Sequence, residues 1–542
     1  MRSNAVKGTT SGWGQSVAIA GTVAAALAVL IVTSAEPRVQ TLLAGSLLFA
    51  GGSSSLALLP GTLLALLVVK TDLPGRRMVI ALLGVLLLMP LYLQAAAWQA
   101  GFGIGGWFAR LWHTGPLLAG WRGAVWVQAV AAVPWIALIV GFSLRQVPAE
   151  LEEQALVDGS GRQVFWHVTL RQVTAGMVIA LLWTAATATA DITVTDLFQI
   201  RTYAEEIYTR LSLVGWNVEQ ASHDMGHEVA LVVLGIVAAG LACLRLAPQS
   251  DTMTVRPSWR WKLGRWRTAV AAAVALILTV IVAVPLISLL LQAGLVVTET
   301  GHGRLRHWSL AKAAGLVASS PWEFATELKW SLTIGAAAST TAIGISVLLA
   351  WLARRGRLQS LPIVLTAAIC LALPGPSIGL GLIHLLNRPD DSLLTWLYDR
   401  TLLAPWIAQT FHALPLTLLI VWYALVTIPA EMIDRAVADG AGPIRRLLCV
   451  AVPYRAAEIG AAWLVGLVLA MGELAATLLT APPGMPTLSV RLFGLLHYGV
   501  DDRLAALCLS EIVCVTTVLA VAGTLARTTR RAGDGPAVGG PV

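Results

Sequence analysis

Long apolar stretches, each separated from the next by a short polar segment, run through the whole chain. Twelve of them are close to the roughly 20 residues that an α-helix needs to cross the hydrocarbon core of a bilayer. They lie at residues 16–33, 42–69, 78–97, 122–143, 173–195, 228–247, 268–293, 330–352, 361–386, 403–427, 456–480 and 505–526. The pattern therefore predicts an all-α membrane protein with about twelve transmembrane helices.

One polar segment occurs twice. The first copy reads V-P-A-E-L-E-E-Q-A-L-V-D-G-S-G from Val147 to Gly161, and the second reads I-P-A-E-M-I-D-R-A-V-A-D-G-A-G from Ile428 to Gly442. The offset is 281 residues, and after a gap of one residue Asp191 matches Glu473 and Thr195 matches Thr477. Pro90 and Pro374 interrupt the third predicted span of each half. The matches predict an internal duplication.

The duplication divides the chain into two six-helix repeats, residues 1–255 and 256–542, joined by a basic linker at 248–267. Six spans return the chain to the side on which it began, so both repeats have the same orientation. The pseudo-twofold axis that relates parallel repeats runs along the membrane normal.

Composition and charge agree with a membrane protein and give its orientation. Hydrophobic residues make up 57% of the chain and charged residues only 12%, whereas a soluble domain carries about 25% charged residues. About two thirds of the 37 Lys and Arg residues fall on one side of the predicted spans. The positive-inside rule makes that side cytoplasmic, together with both termini and both copies of the polar segment. The net charge of +8 thus requires no nucleic-acid partner.

Each copy of the polar segment has the pattern of a short helix. Pro148 and Pro429 suit a helical first turn, where a missing N–H is tolerated, and acidic residues there complement the helix dipole. Glycines after Asp158 and Asp439 favour termination. Such a helix can lie in the cleft of a partner. The alternative is a helix that only lies along the membrane interface, but two copies at matched positions favour docking.

The segments E-Q-A-L-V-D-G and D-R-A-V-A-D-G resemble the cytoplasmic E-A-A-x3-G loop of ABC importer permeases. The second loop also ends in V-A-V-P, from Val450 to Pro453, which is similar to the apolar-x-Leu-Pro close of that family. The fused layout resembles the ferric-iron and thiamine importers. This chain departs from the pattern at Gln154, Arg171, Asp434 and Arg435.

The resemblance implies a type I ABC importer permease fold with coupling loops at 147–171 and 428–453. The residues that it places at the ATPase contact are Glu150, Glu153, Ala155, Asp158, Gly159, Glu431, Asp434, Ala436, Asp439, Gly440 and Pro453. It also implies two cytoplasmic subunits that bind ATP and Mg, an extracytoplasmic substrate-binding protein and a location in the bacterial inner membrane. The chain lacks a G-x-x-x-x-G-K-[ST] phosphate loop, so it is expected to be no enzyme and to hold no cofactor.

Two matched carboxylates are candidates for the substrate pathway. Asp191 and Glu473 fall at the end of the fifth predicted span of each repeat, with Thr195 and Thr477 beside them. Carboxylates within apolar segments usually face a bundle interior or water, and a pair of them suits a cationic substrate or a hydrogen-bonded gate. The family resemblance implies ferric iron as the leading substrate, followed by thiamine, other small cations and oxyanions. A purely structural capping role is the open alternative. No Cys or His spacing indicates a resident metal site or a catalytic site.

A secondary transporter of the major-facilitator type is the second functional class. It also has twelve spans in two parallel halves, and D-L-P-G-R-R from Asp72 to Arg77 resembles part of its signature. That family does not account for the two matched polar segments. A requirement for an ATPase separates the two classes.

Overall fold

The computed structural model describes residues 37–206, 209, 260–300, 303–354, 360–388 and 392–533. The predicted spans at 16–33 and 228–247, together with most of the linker, lie outside the described residues.

The first part of the described chain is helical. Its helices are α1 (Pro37–Lys70), α2 (Arg76–Leu88), α3 (Leu91–Phe102), α4 (Trp107–Trp112), α5 (Gly120–Arg145), α6 (Ala149–Asp158), α7 (Gly161–Val164), α8 (Leu170–Ala190) and α9 (Thr193–Leu197). A π-helical turn, Phe165–Thr169, joins α7 to α8.

At the end of the linker, a 3₁₀ turn (Gly264–Trp266) leads into α10 (Arg267–Leu278), and a π-helical turn (Thr279–Ala283) joins α10 to α11 (Val284–Ala293). An antiparallel hairpin follows, β1 (Leu295–Thr300) and β2 (Gly303–Trp308), in which Leu295 pairs with Trp308.

The remaining helices are α12 (Leu310–Glu323), α13 (Ala325–Ala353), α14 (Leu361–Ala372), α15 (Gly375–Leu386), α16 (Ser392–Arg400), α17 (Leu403–Val426), α18 (Ala430–Ala438), α19 (Pro443–Arg446), α20 (Val452–Tyr454), α21 (Ala456–Met471), α22 (Thr477–Thr480), α23 (Leu488–Leu496) and α24 (Asp502–Gly533). A third π-helical turn, Leu447–Ala451, joins α19 to α20.

Seven of the described helices are long and apolar enough to cross a membrane, or up to ten spans if each of three sharply bent helix pairs counts as one. These ten coincide with the ten predicted spans that fall in the described part of the chain. The total of twelve stays a prediction, because the other two stretches lie outside it.

The interruption at Pro90 is a sharp bend. The helix pair Arg76–Leu88 and Leu91–Trp112 bends by 101°. Proline has no N–H to donate, so the helix cannot continue through it. The amide of Gln94 donates to the carbonyl oxygens of Leu86 and Met89, each at 3.3 Å, and so pairs acceptors that the break sets free. The corresponding pair in the second half, Leu361–Leu371 and Gly375–Leu386, bends by 95° in front of α15.

The described chain divides into two compact units. The first contains the residues up to Ser320 together with 371–377 and 492–509, and the second contains 321–370, 378–491 and the residues from Ser510 onward. This division follows packing, and the repeat boundary at residue 255 stays a prediction.

In the first unit α1 packs against both α5 and α8, and α5 packs against α8. Small residues permit the close approach. A Cβ atom added to Gly61 of α1 would lie 2.8 Å from the side chain of Ile136, and one added to Gly176 of α8 would lie 2.0 Å from Ser143 Oγ. Such contacts are typical of helix pairs in membranes, where van der Waals packing takes the place of the hydrophobic effect.

In the second unit the equivalent helices make the same three-helix arrangement. Helix α13 packs against α17 and α21, and α17 packs against α21. A Cβ atom added to Gly466 of α21 would lie 2.6 Å from Ser339 Oγ, and Ser339 Oγ donates to the carbonyl oxygen of Trp463 at 2.6 Å. The second, fourth and fifth predicted spans of each predicted repeat therefore pack against one another in each unit.

The close approach at Gly61 yields a stability prediction. We expect Gly61→Ala to destabilise the protein by about 1–3 kcal/mol, because the added methyl group meets both Ile136 and the backbone of Val133. Gly51→Ala in the same helix is the matched control. Nothing lies within 4 Å of its Cβ position, so the change should be neutral or stabilise by up to about 1 kcal/mol. Thermal unfolding in detergent measures both, and equal melting temperatures would contradict the packing argument.

Candidate docking loops and paired carboxylates

The first candidate docking helix is α6. It begins directly after Pro148, whose extended backbone (φ −61°, ψ 130°) makes it the N-cap and not a residue of the first turn. Of its ten residues only Glu152 is buried. The predicted contact residues Glu150, Glu153 and Asp158 are exposed. Ala155 is half-buried against the body of the protein.

The second candidate docking helix, α18, follows the same plan. Pro429 is its N-cap, and Ile433 is its one buried residue. Of the residues predicted to contact an ATPase in this loop, only Ala436 is half-buried. The others are exposed, namely Glu431, Asp434, Asp439, Gly440 and, in α20, Pro453. In both loops the acidic residues predicted to contact an ATPase are therefore exposed, whereas Glu152, which was not among them, is buried.

The two helices end differently. After α18, Gly440 has φ +77°. The N–H of Gly440 donates to Val437 O and that of Ala441 to Ala436 O, each at 2.9 Å, which is a Schellman motif. After α6, Gly159 has an extended backbone with φ −149°, a conformation open to any residue. The left-handed conformation that favours glycine after a helix is therefore present at Gly440 and absent at Gly159, where a capping box between Ser160 and Gln163 begins the next helix. The need for either glycine stays a prediction.

Both loops carry exposed apolar side chains, within or after the loop helix. Val157 is 85% exposed and Trp166 56% exposed in the first loop, and Ile444 is 72% exposed and Leu448 59% exposed in the second. Each loop therefore combines an acidic helix with apolar side chains on its surface. This is the composition that a partner's groove would cover.

The buried residue of each loop helix is held in a different way. In the first unit Lys70 Nζ donates to Glu152 Oε2 and Thr169 Oγ1 donates to Glu152 Oε1, both at 2.7 Å. These side chains are almost completely inaccessible to solvent. In the second unit Ile433 belongs to an apolar cluster that includes Ala451. Sequence reasoning did not find Lys70 or Thr169, although a lysine at the end of an apolar span was visible.

Arg354 lies at the end of α13, in the position that corresponds to Lys70. Its Nη2 donates to the carbonyl oxygen of Ile428 at 3.4 Å, and its guanidinium lies over the ring of Trp351. Burial lowers the pKa of the Arg354 guanidinium from its ordinary value, and the nearby Asp434 carboxylate opposes that shift. The arginine thus approaches the second loop helix without a buried carboxylate partner.

The sequence predicted that the two matched carboxylates fall within the fifth span of each repeat. In the structure both lie after the end of the long helix. Helix α8 ends at Ala190 and α21 ends at Met471. Asp191 accepts from Thr193 N at 2.8 Å and from Thr193 Oγ1 at 2.9 Å. Glu473 accepts from Ala476 N at 2.7 Å and Thr477 N at 2.8 Å, and also from the Thr477 hydroxyl. Both carboxylates therefore cap the short helix that follows a break.

This geometry favours the capping role for both carboxylates. That the two carboxylates, Thr195 and Thr477 line a substrate pathway stays a prediction. Both threonines are fully buried, and Thr195 Oγ1 donates to the carbonyl oxygen of Ile192 at 3.2 Å. No group of three His, Cys, Asp or Glu side chains among the described residues could hold a metal ion.

A second matched polar pair was missed in the sequence. Gln128 in α5 and Gln409 in α17 are separated by the same 281 residues, and both are buried. The Oε1 atom of each has no hydrogen-bond partner among the described residues. Gln409 Nε2 lies 3.5 Å from Thr477 Oγ1. Searching for polar residues inside apolar spans at the repeat offset would have found them.

Comparisons with known proteins identify the family. The chain is 31% identical to the putative 2-aminoethylphosphonate transport system permease protein PhnV of Salmonella typhimurium over 208 residues, which are 38% of this chain and 74% of the relative. The chain belongs to the permeases of ABC transport systems. This permease is also 26% identical over 181 residues to the putrescine transport system permease protein PotI of Escherichia coli K12, covering 33% of this chain and 63% of that relative. No profile of a protein family and no solved structure matches it.

The relatives decide between the two predicted classes of transporter in favour of the ABC class. Family membership also confirms that this permease is a transport component and no enzyme, and it implies ATPase and binding-protein partners in general. The individual contact residues of the loops stay predictions.

The different helix ends yield a second prediction. We expect Gly440→Ala to speed amide hydrogen exchange in α18 by about five- to thirtyfold, since an alanine in the left-handed region costs about 1–2 kcal/mol. Gly159→Ala should leave exchange in α6 within about twofold of the original permease, because its backbone is extended. Gly440→Asn should fall between, as asparagine tolerates this conformation better than alanine. Equal effects of the two alanine variants would refute the conformational difference.

The carboxylate caps yield a third prediction. Glu473→Gln should lower the free energy of unfolding by about 1–3 kcal/mol, because a neutral amide oxygen replaces a carboxylate that accepts from several buried donors. Glu458→Gln is the control. Glu458 accepts from Arg455 one turn away, so its substitution should cost less than that of Glu473, which accepts from three donors.

The same unfolding measurement on a double variant tests whether Asp191 and Glu473 belong to the substrate pathway. A combined Asp191→Asn and Glu473→Gln variant should lose the sum of the single effects if each carboxylate only caps its own helix. A loss beyond the sum, together with a raised transport KM, would indicate a shared site in the pathway.

Proposed function

We propose that this chain is a fused double permease that forms the whole membrane pathway of a binding-protein-dependent ABC importer, and that its substrate is a small organic amine. The observation that carries the first part is the pair of exposed, acidic loop helices α6 and α18 at matched positions. A homodimeric or heterodimeric importer presents one such helix from each subunit, whereas this chain carries both.

The length of the relatives supports the fusion. The same aligned stretch is 38% of this chain and 74% of PhnV from Salmonella typhimurium, so the relative is about half as long. The recurring three-helix core, α1 with α5 and α8 in one unit and α13 with α17 and α21 in the other, is what a duplicated ancestor would leave. One chain then contacts two ATPase subunits, in the inner membrane of a bacterium, with both termini and both loops in the cytoplasm.

The substrate class rests on the relatives and on the acceptors in the spans. The names of PhnV and PotI specify 2-aminoethylphosphonate and putrescine, and both compounds carry a primary amino group that is protonated at neutral pH. The candidate acceptors in this permease are the carboxylates Asp191 and Glu473 and the unpaired amide oxygens of Gln128 and Gln409. Carboxylate and amide oxygens bind an ammonium group by hydrogen bonds and charge. Ferric iron, the expectation from the fused layout, is the alternative substrate.

Reconstitution tests this proposal. The permease, purified with its native ATPase and binding protein and placed in proteoliposomes, should accumulate a radiolabelled amine such as putrescine or 2-aminoethylphosphonate only with ATP. An ion gradient alone should drive no uptake. A two-to-one ratio of ATPase subunits to permease chain in the purified complex is expected of a fused double permease.

Three outcomes would contradict parts of the proposal. Uptake of ferric iron without uptake of amines would overturn the substrate class and leave the importer intact. A one-to-one ratio of ATPase to chain would overturn the fusion. Uptake driven by an ion gradient without an ATPase would overturn the ABC mechanism itself. Calorimetry on the isolated binding protein gives an independent determination of the ligand.

A further inference from the structure

Each loop helix has one buried residue at the same position, and different interactions hold it in the two helices. Glu152 of α6 and Ile433 of α18 are separated by the repeat offset of 281, and each is the one buried residue of its helix. The partners also correspond. Thr169 and Ala451 are the last residues of matched π-helical turns. Lys70 and Arg354 share the offset of 284 that relates Pro90 to Pro374.

The attachment of α6 is directional. Two donors, Lys70 Nζ and Thr169 Oγ1, reach different oxygens of one carboxylate, both at 2.7 Å. Lys70 lies at the end of α1 and Thr169 lies in the turn before α8, so the carboxylate is held from two sides. Hydrogen bonds to charged groups depend strongly on angle and distance. A rotation of α6 about its own axis would break both bonds at once.

Lys70 is itself fixed by the end of the linker. The N–H of Trp261 donates to the carbonyl oxygen of Lys70 at 2.7 Å, and the N–H of Leu263 donates to Asp72 Oδ1 at 2.8 Å. The Trp261 ring meets the edge of Phe165, with centroids 5.2 Å apart, in the turn after α7. The linker segment 260–263 therefore contacts both the end of α1 and the turn after α7.

The buried residue of α18 is held without directional contacts. Hydrogen bonds fix the segment before the helix, where Arg455 donates to the carbonyl oxygen and hydroxyl of Thr427. Ile433 packs among apolar side chains of one cluster, with Ala451 where the first loop has a threonine. Dispersion contacts of this kind are individually weak and vary smoothly as a helix rotates by a few degrees. Arg354 contacts the carbonyl oxygen of Ile428, in front of the helix, and not the buried residue.

From these contrasts we propose that Lys70 and Glu152 are positioning residues that fix the rotation of the first loop helix for its ATPase contact, while the second loop helix is free to roll. The role rests on the proposed ATPase docking. The two ATPase contacts of the importer are then unequal, because one is made by a helix of fixed rotation and the other by a helix that can rotate. Single permeases that lack a linker cannot hold Lys70 through Trp261 in this way.

The test compares helix mobility and ATPase affinity. Spin labels are attached at Val157→Cys and, as its counterpart at the repeat offset, at Ala438→Cys, in full-length protein whose five native cysteines are replaced. Both positions are exposed. We expect the label at 157 to be less mobile than the label at 438. The triple variant Lys70→Met/Glu152→Ile/Thr169→Ala gives the first loop the apolar attachment of the second, and it should make the label at 157 as mobile as the label at 438.

The triple variant should also bind the purified ATPase subunits about two- to tenfold more weakly, because a freed helix must be ordered again on binding. Its melting temperature should stay near that of the original protein, since replacing a whole buried ion pair by apolar residues is often neutral. Lys70→Arg, which keeps the charge, should retain both the mobility and the affinity of the original. Unchanged mobility and affinity in the triple variant would overturn the proposal.

Two further outcomes need their own interpretation: a triple variant that does not insert, and an original protein that binds no ATPase. If the triple variant does not insert, Glu152→Gln takes its place, because it keeps the shape and an acceptor for Thr169 but removes the ion pair; an unchanged label at 157 in that variant overturns the proposal as well. If the original protein binds no ATPase, the proposed function fails, while the label mobilities still decide whether Lys70 and Glu152 fix the helix.

Discussion

A bilayer offers no water to a backbone N–H or C=O group, so each such group within the membrane must be paired inside the protein. Most features of this permease follow from that constraint. Helices pair their own backbone, but each break releases donors and acceptors. Gln94 pairs carbonyls before Pro90, and Asp191 and Glu473 pair the N–H groups after two further breaks. These three polar residues thus stand where the helices stop.

The same constraint explains why a carboxylate stands at each of these two breaks. The short helices α9 and α22 each begin outside a long span and need an acceptor for their first N–H groups. An aspartate that reaches its second and third neighbours, and a glutamate that reaches its third and fourth, satisfy this requirement by different routes. A role in transport would be added to this structural one, on residues that the fold already requires.

The two loops show how elements of similar backbone plan can differ in their attachment. Both have a proline N-cap, a short helix and a π-helical turn, yet one is held by a buried ion pair and the other by an apolar cluster. Either attachment is compatible with folding, but an ion pair tolerates no loss of one member. Removing a single partner from such a buried pair typically costs about 3–5 kcal/mol. The first loop therefore tolerates fewer substitutions in the residues that contact it than the second loop does.

The sequence by itself determined the apolar helices, the bends at the prolines, the two loop helices and the exposed acidic residues, because these follow from periodicity, chain stiffness and the hydrophobic effect, which act locally. It could not locate Asp191 and Glu473 outside the helices, show that Gly159 is extended, or pair Lys70 with Glu152, 82 residues away. A hydropathy pattern cannot say where an apolar helix breaks within its run, and an ion pair between distant segments depends on their packing. Only the tertiary structure decided which polar groups are buried together.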